Sequence, residues 1–462
     1  MKTINRKPLF LALAGITALG AVGTAQAVSV NPTGLGQVLL FPYYTVKGDT
    51  NPYNTLLSIV NTTASTKAVK VRFREGKASV EVLDFNVFLS PYDMWTAELD
   101  PSPSGGVRMF TADTSCTIPT IPASGVEFRN GAYKGDAVDD NSLARLREGY
   151  FEVIEMSTYT ADSVIAVNSK HTSSRVPKDC SLVTDSTADK EQQNPQGGLT
   201  GTASLVSPGS GLNAATDPTV LVNFRATKNY QNTSTTAPDL RDADPWSTTE
   251  DGDGNTVWAD WTGKPKANAV SAALMKNAII NEFVLDPATA SATDWVITFP
   301  TKSFYVTKLI TTAPFQSVLG TKGSCDDIIL NTWDREEQTT QPGGPDFSPS
   351  PSTPNVSICW EANVLTFNGK NLFSSSNTLS VNTLFINGWA RMDFHKTAAL
   401  ALVAKSAVNY DLGSATPGSS ASTGSFTGLP VIGFAVQTFR PTLTSSYAGT
   451  FYHRYIPGTP PQ

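Results

Sequence analysis

Between residues 68 and 75 apolar and charged side chains change places at every step, Val69, Val71 and Phe73 alternating with Lys70, Arg72 and Arg74. A period of two belongs to a β-strand with one face in a core, and it excludes a helix, whose apolar positions recur every three or four residues. The neighbouring runs agree. Residues 54–61 form a short apolar run closed by the polar TTAST, and Leu83, Phe85, Val87 and Leu89 share a face until Ser90 and Pro91 end it. Strands in succession joined by polar turns predict the meander of an antiparallel β-sandwich. In that meander the basic stripe Lys67, Lys70, Arg72, Arg74 and Lys77 is expected to be a solvated sheet face, paired across strands with Glu81 and Asp84.

The rest of the composition fits an exported β-protein. Residues 1–27 carry a basic start (Lys2, Arg6, Lys7), an apolar stretch from Pro8 to Val22, and an A-x-A ending at Ala25-Gln26-Ala27, the pattern of a secretory signal. Later in the chain no segment reaches the ~20 apolar residues of a spanning helix. Charged residues are only 16%, net charge is −6, and Gly (34) and Pro (30) mark many turns, so a basic nucleic-acid surface is excluded and no nucleic-acid partner is expected.

Turn signals divide the chain. The expected fold is all-β, two antiparallel β-sandwiches over 28–185 and 267–457 with long loop insertions and one or two short helices. Between them, 186–266 reads as a loop-rich connecting region, and 458–462 as a tail. Within the first sandwich, Pro42 in QVLLFPYYTV predicts a strand that is broken there or lies at an edge, and SVIAV (163–167) predicts a strand. Within the second, 267–283 has the periodicity of a helix, DWVITFP places Trp295, Ile297 and Phe299 on one face, and SFYVTKLI is expected to return from it as a hairpin. Proline-rich 338–354 and the GSATPGSSASTGSFTG run (413–428) read as surface loops.

Four cysteines in an exported chain favour two disulfides. Of the three pairings, Cys116 with Cys180 and Cys325 with Cys359 keep each bridge within one sandwich and tie down a long loop. Without a C-x-x-C spacing a zinc site is disfavoured.

Reactive constellations are sparse. His171, His395 and His453 stand far apart and no G-x-S-x-G elbow is present. Glu336 with Glu337, and Glu152 with Glu155, differ in strand parity and are expected to be solvated rather than paired for glycoside hydrolysis. Asp251, Asp253 and Asn255, alternating with glycine, form the one cluster with the character of a calcium loop, although Thr256 and Thr262 occupy positions where an EF-hand needs Gly and Glu. Trp246, Trp258 and Trp261 lie in the loop-rich region beside acidic residues and make the candidate binding face, with burial as sandwich plugs the competing expectation.

The phrases GQVLLFPYYTV (36–46), REGYFEVIEM (147–156), TDWVITFPTKSFYV (293–306) and GLPVIGFAVQTF (428–439) resemble a family of uncharacterised secreted or cell-surface proteobacterial β-proteins. The resemblance covers nearly the whole chain after residue 27. It implies a location outside the cytoplasm of a Gram-negative bacterium and carries over no active site. The expected function is therefore that of a non-enzymatic cell-surface or extracellular-matrix protein, secreted or periplasmic, whose partners are surface proteins, polysaccharide or other copies of itself. The alternatives are a calcium-dependent or carbohydrate-binding module and a secreted hydrolase without a recognisable motif.

Overall fold

A computed structural model describes residues 27–458 apart from 49, 134–135, 252–255, 340–354, 395–397, 411–423 and 443–444. The secretory signal up to residue 26, His395, Asp253, Asn255, most of the two surface loops and the tail beyond residue 458 lie outside the described residues. Strands dominate, and four sheets, denoted I to IV in stacking order and antiparallel but for the pairing of Thr378–Val381 with Ala362–Phe367 in sheet III, account for most of them.

Sheet II grows from the alternating stretch. Its seven strands run Ser29–Val30, Thr219–Val222, Val38–Thr45, Glu148–Tyr159, Thr66–Glu75, Glu81–Leu89 and Thr117–Ile118. Val69, Val71 and Phe73 face sheet I, where Leu57, Ile59, Trp95 and Leu99 complete a core with them. Asn54–Asn61 does not continue the meander. It crosses into sheet I, between Leu199–Ser207 and Met94–Pro101, because its apolar face is needed on the opposite side of that core.

Sheets III and IV form the second sandwich. Ala292–Thr298 lies at the centre of sheet III, between Ala362–Phe367 and Ile432–Thr442, and Trp295 and Ile297 point toward Ile279, Phe283 and Met392 of sheet IV. The alternate residue Val296 points the other way and packs with Tyr43 and Tyr150 of sheet II. Both faces of sheets II and III are thus used, and the sandwiches stack directly in the order I, II, III, IV. Polar bonds fix the contact: Tyr43 Oη and Ser375 Oγ donate to Glu148 Oε2 at 2.8 and 2.6 Å, and Thr298 Oγ1 donates to the Pro42 carbonyl at 2.6 Å. Burial alone raises the Glu148 carboxyl, but Lys47 and the Ser375 and Ser376 hydroxyls hold it below its usual value.

Several expectations are corrected here. Pro42 does not break its strand; pairing with Thr219–Val222 ends at Leu40, so Pro42 lies where the strand is paired on one side, and the register with Glu148–Tyr159 slips by one residue there, a bulge that accommodates a residue without an N–H. The SVIAV stretch is a helix, Val164–Ser169, because Ser163 Oγ accepts from Ala166 N and the Glu191 carboxylate accepts from Val164 N and Ile165 N, capping it from a distant segment. Only Asn268–Leu274 of the expected long helix is helical. Met275–Val284 becomes a strand paired with Asn387–Phe394 and Arg454–Pro457, where Ile279 and Phe283 enter the core. No hairpin follows Ala292–Thr298, since Lys302–Phe304 is a 3-10 turn.

Residues 186–266, read as a connecting region, supply strands to three sheets: Leu199–Ser207 and Leu212–Thr216 to sheet I, Thr219–Val222 to sheet II, and Trp246–Glu250 with Thr256–Asp260 to a small sheet V completed by Ser406–Tyr410. Short apolar runs among the polar residues are enough for this, because one side of each strand alone is buried. The edge strands Leu212–Thr216 of sheet I and Ser445–Tyr452 of sheet III lie alongside one another. Thr450 Oγ1 donates to the Ala215 carbonyl at 2.5 Å and Asp217 N to Tyr452 Oη at 3.0 Å. Two disulfides are present, Cys116–Cys180 and Cys325–Cys359, with the pairing that the loop argument favours. They mark a chain that folds in an oxidising compartment. Among the described residues no helix is long and apolar enough to cross a membrane.

Candidate functional site

The charged stripe is not a solvated face. Lys67, Lys70 and Arg72 are fully buried, as are Glu152 and Glu155 from the neighbouring strand, so both solvated readings are overturned. Residues 230–241 are laid over the stripe, and Arg72 donates to the carbonyls of Thr236 and Pro238. Beneath this strap Lys70 pairs with Asp84 at 2.9 Å, and Arg72 with Glu81 at 2.6 Å and Glu152 at 3.0 Å, while on the opposite face of the sheet Lys67 pairs with Glu155 at 2.6 Å, whose carboxylate also accepts from Gln196 N and Gly197 N. Glu81 and Asp84 are the acids expected across the strand; Glu152 and Glu155 join them because Glu148–Tyr159 is the other neighbour. A network so enclosed is structural.

The histidines separate in role. His453 is buried against Trp295, its Nε2 3.0 Å from the Val296 carbonyl, and burial pushes its pKa down to about 4, so it is a neutral packing group. His171 lies at the surface, with Nδ1 3.6 Å from Asp93 Oδ2. Glu336 and Glu337 are exposed in the turn after Trp333. Of the calcium cluster only Asp251 is described, and among the described residues no group of three or more His, Cys, Asp or Glu side chains is placed to hold a metal.

The three tryptophans of the loop-rich region divide. Trp261 is 2% exposed, donates from Nε1 to Ser247 Oγ at 2.8 Å and packs on Phe426, so it is a core plug and not part of a binding face. Trp246 and Trp258 stay partly exposed. In sheet V Val257 and Ala259 turn inward, leaving Trp258 on the outer side, where it stacks on Trp246 with ring centroids 6.5 Å apart.

A second pair escaped the sequence reading. Trp333 and Trp389 stand opposite one another on adjacent strands of sheet IV, ring centroids 4.1 Å apart and 14° from parallel. Trp389 is 37% exposed, and Ile329 at 43% lies on the same outer face. Gly388 lets the strands approach, since a Cβ there would collide with the Trp333 carbonyl. Around the pair, Arg391 bonds Asp393 at 2.6 Å and Arg454 bonds Glu282 at 2.7 Å, a fringe of paired donors and acceptors beside aromatic area. The two tryptophans are far apart in sequence and only strand register unites them, so no local signal could have found them.

Comparison with family models, with curated proteins and with solved structures finds no match.

Proposed function

We propose that this chain is an exported, non-enzymatic protein of the bacterial surface or matrix that works by contact, holding polysaccharide against paired tryptophans on its outer sheets, and that it belongs with the secreted proteobacterial β-proteins it resembles. One observation carries the reading: Trp333 and Trp389 are stacked and solvent-facing on a sheet whose other side already fills a core, so their exposure is not required by packing. Aromatic faces take the apolar faces of sugar rings, and a fringe of charged pairs meets ring hydroxyls. The two disulfides and the low charge support a working place outside the cytoplasm.

Retention of the purified chain on a gel containing a neutral soluble β-glucan tests it. Trp333→Ala with Trp389→Ala is expected to weaken retention about tenfold, or ~1.4 kcal/mol, with a melting temperature within a few degrees of the parent. Unchanged retention defeats the proposal, and so does a collapse of the melt, which makes the pair structural.

A further inference from the structure

The depression beside His171 is the strongest unassigned feature. It measures about 380 Å³ and is lined by Asp93, Met94, Asp113, Thr114, His171 and Arg175 among others. Its outer wall is a β-hairpin over 170–178: Thr172 N donates to the Val176 carbonyl at 2.8 Å and Lys178 N to the Lys170 carbonyl at 3.1 Å. The Cys116–Cys180 bridge ties this hairpin to the segment bearing Thr114, and Thr114 Oγ1 lies 3.1 Å from the Arg175 carbonyl and 3.3 Å from His171 Nε2. Three segments distant in sequence are thereby held as one wall.

Its polar groups are of two kinds. Arg175 lines the depression and Lys170 and Lys178 stand on the same hairpin, and none of the three forms an ion pair among the described residues, whereas Lys67 and Arg72 of sheet II are spent on the buried Glu155 and Glu152. The acids here hold turns: Asp93 Oδ2 accepts from Ser90 N and Oγ at 3.0 Å, and Asp113 Oδ1 accepts from Ser115 N and Oγ at 2.8 and 2.7 Å. Asp113 Oδ2 is left without a partner among the described residues. Met94, 50% exposed, adds apolar area.

We propose that this depression binds a hexuronate residue of an acidic polysaccharide. The inference rests on the polysaccharide reading above and names a second, charged subsite for it. A carboxylate fits the fork of Arg175, with Lys170 and Lys178 on the same hairpin to attract the chain. Ring hydroxyls donate to Asp113, and the apolar side of the ring rests on Met94. A neutral sugar leaves the cations unused; a bare anion leaves the acids facing it.

The chain has three histidines, so imidazole signals of the ¹⁵N-labelled full-length protein make a clean probe. Trigalacturonate is expected to move the His171 signals saturably, leave those of buried His453 in place, and bind about tenfold more weakly to Arg175→Gln and at raised salt. Three results overturn the proposal: no saturable shift, equal binding of maltotriose or inorganic phosphate, or unchanged affinity in Arg175→Gln. Retention of Arg175→Gln on the neutral β-glucan gel is expected to match the parent, which separates failure of this subsite from failure of the tryptophan faces.

Discussion

Arg72→Ala is expected to destabilise the fold by roughly 3–5 kcal/mol, the range found when one partner of a buried ion pair is removed. Four acceptors lose their donor at once: Glu81, Glu152 and the carbonyls of Thr236 and Pro238. Glu152 suffers most, because it stays fully buried with Arg74 as its remaining ion-pair partner among the described residues. Arg72→Lys is expected to restore only part of the loss, since one ammonium cannot reach both acids and the strap carbonyls in the directions a guanidinium does. The midpoint of guanidinium unfolding measures the first effect. The rate of proteolytic cutting within 230–241 measures the second, because Arg72 holds the middle of the strap at the Thr236 and Pro238 carbonyls. A midpoint that does not move would mean that the buried charges merely tolerate one another.

Stability is also expected to fall between pH 6.5 and 8. Burial pushes the Asp294 carboxyl up to about 7 and the Glu361 carboxyl to about 8, the latter despite nearby Lys302. Tyr53 is the titratable neighbour of Asp294, and Lys302, Glu75 and Arg74 are those of Glu361. Each acid keeps its proton in the folded chain after the unfolded chain has released it, so the stabilising share is complete below the unfolded pKa of about 4 and is lost as pH rises through the folded value. His453, down to about 4, works against this trend only up to its unfolded value near 6.5. Lys276, lowered by burial to about 8, adds stability only above that pH. The window between is uncompensated, and the loss across it is about 2 kcal/mol. Asp294→Asn with Glu361→Gln is expected to flatten the profile of melting temperature against pH and to raise its pH 8 end. Parallel profiles for parent and variant would refute the assignment.

What could be read from the sequence follows from what each signal depends on. Val69, Val71 and Phe73 announced both a strand and its core face, because a period of two is local. The fate of Lys70 and Arg72 on the other face was not legible, since it depends on a strap of residues 230–241 arriving from far along the chain. The same holds for Val164–Ser169, whose apolar run fits strand or helix and is decided by the Glu191 carboxylate. Pro42 shows a local rule correctly applied with one outcome missing, the bulge. Of the candidate site, Trp246 and Trp258 were visible as a cluster, whereas Trp333 and Trp389 exist as a pair only through the register of sheet IV. The cysteine pairing was accessible because loop spacing constrains it.

The two edge strands lying side by side, Leu212–Thr216 and Ser445–Tyr452, bear on how copies of this chain avoid templating one another. An open ladder edge invites a strand from a second molecule, and aromatic residues such as Tyr447 at 56% and Phe451 at 44% exposure would strengthen that docking. Here the carbonyl of Ala215 is taken by Thr450 and the amide of Asp217 by Tyr452. A fibril seeded at this point would first have to pry the two sandwiches apart, so the contact that unites them also guards the chain against growing into β-aggregates from these two edges.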